Sequence, residues 1–473
     1  MDPQVETWLR VSFWVLSAGV VVLPMRWALI SLLLLAHLDL SGASFASASE
    51  IGVENAIKVA GLPLVLLLRM RLGPLRNARL SWAAAAWAGL MIYSAVATLW
   101  SPFQISALKM VAYLWSYSLL FLVFSHAWLK GWLSVRIILA IAWCSLAMAA
   151  WQTYYLQSPF LVEKGRLSTF ASPQSYAAYL ICVLAIVSLS FKSGIGFRLS
   201  SAVIVFATFL TGSRYALMGL ASLLTILWFV RTITGKNAQQ KAFALVKGVA
   251  GAAAVILLFM AVLEYSPDNR FSEMLRPNPY GGSVLQNVGT LVWRLGIYQG
   301  ATDSIVSGGV GRLVFGAGTS SGAGFLLEYD RRYRAHSIDA NRALHNEFLR
   351  ALYEWGLIGF TLLAAFLIFL LAQVVKRVAR DRSRYALALL AVCPTLVISL
   401  TVENVLAGPG GPGGVGFALV LSCGLGRRRL AGQRVPTGEV APPAEFSWAE
   451  SQAWAASRAA FGGRQIRAHG GIE

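Results

Sequence analysis

The sequence predicts an all-α polytopic membrane protein of about twelve transmembrane helices, and three observations predict it. Hydrophobic residues make up 57% of the chain and charged residues only 13%, too apolar a balance for a soluble domain. Apolar windows long enough to cross about 30 Å of hydrocarbon recur from end to end. Many of the basic residues behind the net charge of +19 cluster in short loops between those windows. That is the signature of positive-inside charge, and it argues against nucleic acid as the partner.

The windows fall near 8–38, 51–70, 82–99, 104–125, 132–156, 174–191, 199–212, 214–230, 246–263, 347–373, 385–402 and 413–425. Five basic groups set the orientation: Arg69 to Arg79, Lys192 with Arg198, Lys236 to Lys247, Lys376 to Arg384, and Arg427 to Arg429. All five fall on one side when the spans are counted through, and that side is the cytoplasm. The first window is broken at Pro24-Met25-Arg26. One long or kinked crossing would put the N-terminus in the cytoplasm, whereas two short crossings would put it outside. The expectation is one crossing, with both termini inside.

Four regions follow. Residues 1–263 hold the N-terminal transmembrane helices, and 264–346 form a large outer loop region before the tenth span. Residues 347–425 hold the C-terminal transmembrane helices, and 426–473 form a basic cytoplasmic tail with the Ala, Gly and Pro content of disorder. Within that tail, Phe446 to Phe461 has the composition of a short amphipathic surface helix. No cleavable signal peptide is evident, since the first apolar stretch lacks a basic flank. No internal repeat of the kind seen in inverted-repeat transporters is found. Cys144, Cys182, Cys393 and Cys423 lie in or beside apolar segments without metal-ligand spacing and predict no disulfide.

Chemistry is expected at the outer face. His345 opens the stretch His345-Asn346-Glu347-Phe348, and an imidazole there can exchange protons near neutral pH. Asp339 or Asn341 is expected to cap this helix and hold His345 in its first turns, on the face of Leu349 and Leu352. A satisfied helix-end histidine is the plainer alternative. His336 is the weaker candidate. Glu354, a carboxylate in an apolar run, is expected to be a structural partner rather than the base.

The cations of the 264–344 segment are all Arg and never Lys, which favours bidentate recognition of phosphate or carboxylate. Arg214 follows Thr211-Gly212-Ser213 at a helix start, where free N–H groups and the dipole already favour an anion. Arg294 lies in the helix-spaced Leu291 to Gln299, and Arg166 in the turn-rich Gly165 to Pro173. Lys109 lies near the outer end of its span. Headgroup snorkelling or a structural salt bridge is the competing account of each. The segment holds no paired aspartates for a metal–nucleotide sugar, no zinc cluster and no dinucleotide fingerprint. No metal site or cofactor is expected.

These residues, in this order, resemble the O-antigen ligase and O-antigen polymerase family. The resemblance rests on His345-Asn346-Glu347-Phe348 through Glu354-Trp355-Gly356-Leu357-Ile358-Gly359. It rests also on Thr211-Gly212-Ser213-Arg214, Trp293-Arg294, Phe315-Gly316-Ala317-Gly318 and the segment Gly165 to Leu180. It spans about residues 160–375; the long basic tail departs from the family pattern. The resemblance implies a glycosyltransferase of GT-C type in the bacterial inner membrane, working at the periplasmic face. It would pass a glycan from undecaprenyl pyrophosphate to a lipid A–core sugar hydroxyl, with inversion and without metal. His345 would be the base; Arg214, Arg294, Arg166 and Lys109 would bind the pyrophosphate donor. A polymerase of the same family would use another glycan as acceptor. A flippase or exporter of lipid-linked glycans is the alternative from a different class.

Overall fold

The computed structural model describes residues 3–38, 53–70, 81–156, 166–189, 194–213, 218–226, 228, 290–322, 324–325, 344–381, 384–402, 406 and 411–426. The described residues are helical throughout, apart from turns, short irregular segments and one isolated bridge between Leu38 and Phe170. The apolar helices are compatible with a membrane protein. Four reach a length and hydropathy sufficient to cross a bilayer: Trp82–Trp100, Gln104–Leu129, Val135–Tyr155 and Glu347–Arg380. Six shorter apolar helices accompany them. The expected span 246–263, most of the loop region 264–346 and the tail after 426 lie outside the described residues.

The N-terminal helices α1 (Pro3–Val22) and α2 (Met25–Leu35) pack against each other. This corrects the expectation of one long crossing over 8–38. Pro24 has no N–H to continue α1, and the chain folds back there. A Cβ on Gly19 would stand 2.8 Å from the Ser31 hydroxyl, a contact no straight or gently kinked helix brings about. Arg69, at the end of α4 (Leu62–Arg69), donates to the Val20 carbonyl and, at 2.6 Å, to that of Leu23. It satisfies carbonyls left open at the end of α1. The turn at 23–25 therefore lies at the Arg69 end of the bundle. Lys58, in the π-helical turn Ile57–Gly61 that follows α3 (Val53–Ala56), donates to Leu38 at 2.8 Å. The ends of α2 and of that helix are tied together by it.

The centre is α8 (Pro173–Leu189), whose residues 176–187 are all buried. A helix apolar on every side must be wrapped by others, and α7 (Val135–Ala150), α9 (Ile195–Leu210), α13 (Arg384–Val402) and α14 (Pro412–Gly426) wrap it. Small residues permit close approach: a Cβ on Gly416 would stand 3.1 Å from the Tyr179 backbone. α14 also packs on α6 (Gln104–Leu129).

A second layer carries the region of interest. α5 (Trp82–Val96) runs along α12 (Glu347–Asp381), and α10 (Thr290–Ser307) and α11 (Gly309–Phe315) pack on α12. α12 is not one continuous helix. Gly356 has φ 60° and ψ −163°, which separates a buried first segment from the long apolar one. Unpaired backbone at such a break is tolerated in a membrane only when other groups satisfy it. The segment after α11 does so: Ala317 N–H donates to Tyr353 and Gly318 N–H to Glu354, both at 2.9 Å.

Candidate functional site

The site is built around that break. The chain 315–322 leaves α11 and threads between α5, α6 and α12. Tyr93 of α5 donates to the Phe315 carbonyl at 3.1 Å, and the Ser101 hydroxyl to that of Thr319 at 2.6 Å. The Thr319 hydroxyl donates to Ser94 at 2.6 Å and accepts from the Trp355 indole at 3.0 Å. Ser320 donates to the Ser106 carbonyl at 2.9 Å. Gly316 and Gly318 have φ of 79° and 96°, and the space for a Cβ is filled by Glu354–Trp355 backbone at the first and Ser101 backbone at the second. Glycine is required at both places.

The first segment of α12 carries a buried ion network. Arg350 is 1% exposed and lies 3.5 Å from Glu347 and 3.2 Å from Glu354, both fully buried. Glu354 also accepts from the backbone N–H of Ser320 at 2.8 Å and of Gly322 at 3.2 Å. Glu347 accepts from Leu406 N–H at 2.8 Å. One guanidinium thus joins two carboxylates that hold two separate loops. Glu354 is a structural partner, as expected. Glu347 and Arg350 were not singled out in the sequence, although their spacing (i, i+3 and, to Glu354, i+7) puts all three on one helix face.

His345 lies outside α12, which corrects its expected place in the first turns. Asn346 is the cap: its Oδ1 accepts from the N–H groups of Phe348 and Leu349, each at 3.0 Å. The expected caps Asp339 and Asn341, like His336, lie outside the described residues. His345 takes a left-handed backbone, φ 53°, rare in a residue other than glycine. Burial, and then the Arg294 charge, push its imidazole down to about 4. That leaves the ring neutral at pH 7, with a value well below the near-neutral one anticipated for a base.

Arg294 and Tyr298 lie four residues apart on α10, whose Ile297, Ala301 and Ile305 pack with Leu344 and Tyr353. The Tyr298 hydroxyl donates to the His345 carbonyl at 3.0 Å. Arg312 of α11 donates to the Tyr353 hydroxyl at 2.6 Å and lies 4.9 Å from that ring's centre. The structure therefore brings His345 and Arg294 to one place.

Arg166 belongs to a second place. It is buried, and its Nε–H donates to the Thr211 carbonyl at 2.6 Å. Its side chain covers Gly212, whose φ is 58°. The backbone N–H of Leu167 donates to Leu210 at 2.8 Å, so the loop from 166 is laced to the turn 211–213. Arg214 follows that turn and lies outside the described residues. Lys109 is partly buried on α6, one turn beyond Ser106.

Residues 199–364 match the family model described as O-antigen ligase. The match covers about a third of the chain, from the start of α9 through the break in α12, and includes Arg214, Arg294 and His345. Arg166 and Lys109 precede it. No curated protein matches the chain.

Proposed function

We propose, from the match of residues 199–364 to the O-antigen ligase family, that this protein transfers a glycan from undecaprenyl pyrophosphate to a lipid A–core sugar hydroxyl. The reaction would take place at the periplasmic face of the inner membrane, in a GT-C-type architecture. The observation that carries the reading is the pairing of a neutral His345 with the Arg294 charge at the head of a rigidly held helix.

The chemistry follows from that pairing. The acceptor hydroxyl gives its proton to the His345 imidazole as its oxygen attacks the anomeric carbon. The bond from that carbon to the phosphate oxygen breaks, and the electron pair leaves with undecaprenyl pyrophosphate. Attack opposite the leaving group inverts the anomeric configuration. Arg294 and Arg214 stabilise the charge that develops on the leaving pyrophosphate, so the step needs no metal. Arg166 and Lys109 assist donor binding, Arg166 through the turn before Arg214. Burial is the larger cause of the depressed His345, and a pyrophosphate next to Arg294 offsets the second, the positive charge. Donor binding therefore raises the imidazole towards the range in which a general base works best.

The deciding experiment is transfer by purified protein from a lipid-linked glycan to lipid A–core, with EDTA present. Glycan joined to lipid A–core supports the reading. Longer lipid-linked chains alone make the protein a polymerase of the same family. Transfer to neither acceptor by folded protein, with lipid-linked glycan instead moved across vesicles, makes it a transporter.

A further inference from the structure

We infer that Tyr298 is the positioning residue for His345, an assignment that rests on the catalytic reading of that histidine. Three observations converge on it. His345 holds a left-handed backbone at φ 53°, a conformation that L side chains keep only when their surroundings impose it. The Tyr298 hydroxyl grips the carbonyl of that same residue at 3.0 Å. Asn346, immediately after it, is fixed by two cap hydrogen bonds of 3.0 Å to α12.

The following residue is thus tied to α12 and the carbonyl of His345 to α10. Leu344, just before it, is buried among Ile297, Ala301 and Ile305 of α10, so the φ of His345 lies between held points on both sides. α10 presents Arg294 and Tyr298 one helical turn apart, on neighbouring positions of one face. The hydroxyl that sets the backbone of the base therefore shares a helix with Arg294. Ile297, between these positions, and Ala301, just beyond them, are buried at 0% exposure and anchor α10. Loss of the hydroxyl would free the backbone to return to ordinary φ and swing the imidazole from its place.

Tyr298→Phe tests this, because the ring that packs in the cluster is kept. In the transfer assay kcat should fall about tenfold with the donor KM and the thermal midpoint unchanged, as expected for misplacement of a reacting group. In a His345→Gln background, Tyr298→Phe should remove nothing further. Tyr298→His, which restores a ring N–H donor, should regain part of the rate. A Tyr298→Phe variant with unchanged kcat overturns the assignment. So does a loss of equal size in the His345→Gln background, which would mark an independent structural role. NMR of ring-labelled histidine in nanodiscs gives a readout free of activity. The His345 signal, identified by its loss in His345→Gln, should shift in Tyr298→Phe. If His345→Gln transfers at the wild-type rate, the catalytic reading fails, and the NMR shift alone then decides whether Tyr298 places the ring.

Discussion

Gly316 and Gly356 meet backbone against backbone: a Cβ on Gly356 would stand 2.6 Å from the Gly316 nitrogen. Two glycines from separate elements thereby break α12 and seal the break with the chain that follows α11. The sign of one substitution tests this. A glycine inside an ordinary helix costs about 1 kcal/mol relative to alanine, so its replacement would stabilise. At Gly356 the positive φ adds about 1–3 kcal/mol of strain, and the neighbouring atoms are rigid backbone. Gly356→Ala should lower the thermal midpoint in detergent and abolish transfer. A raised midpoint would mean that the break is dispensable.

The Glu347–Arg350–Glu354 network predicts an asymmetry. Arg350→Met leaves two buried carboxylates without their cation, which costs about 3–5 kcal/mol in other buried pairs. Glu354→Gln retains an acceptor for the Ser320 and Gly322 N–H groups and should cost less. Folded yield measured by size exclusion should fall far more for Arg350→Met than for Glu354→Gln. The opposite ranking would show that the arginine is not the hub.

The depressed His345 predicts the pH profile. At pH 6 an imidazole with the ordinary value of 6.5 is only about one-quarter neutral. With a value of about 4, His345 remains almost wholly neutral there. kcat/KM for the donor, which reads the free enzyme, should therefore fall less than about twofold between pH 7.5 and 6. Arg294→Gln removes the charge that opposes protonation, and its acid limb should move to higher pH. The limb in kcat, read with donor bound, should also lie above the limb in kcat/KM. Stability follows the same sign. The folded state binds this proton less readily than the unfolded chain, so its contribution is full above 6.5 and is lost as pH falls towards about 4.

Arg166 is expected to act through the turn it covers. Its bond to the Thr211 carbonyl and its packing on Gly212 order the residues just before Arg214. Arg166→Lys cannot reproduce the planar fork. Donor KM should rise about tenfold with little change in kcat, the pattern of lost ground-state binding. An unchanged KM would separate Arg166 from donor binding.

Much of this molecule was set by its sequence alone. Apolar windows place the helices because hydrophobic length and backbone self-satisfaction admit few alternatives in a membrane. The order Gly212, Arg294, Gly316, His345, Gly356 carried the resemblance to the O-antigen ligase family, and the match over 199–364 agrees. What the sequence did not settle depends on partners distant along the chain. Pro24 marks a break, but only the contacts of Gly19 with Ser31 and of Arg69 with Val20 show that the chain folds back there. The run from His345 reads as one helix because its apolar residues continue across the glycines. The break at Gly356 is imposed by the chain from Phe315 to Gly318, about forty residues upstream. Spacing put Glu347, Arg350 and Glu354 on one face, yet their burial depended on which loops came to lie over them. The left-handed His345 is invisible locally for the same reason. Its conformation is held by Tyr298 and Asn346, and that first partner is found only when α10 packs against α12.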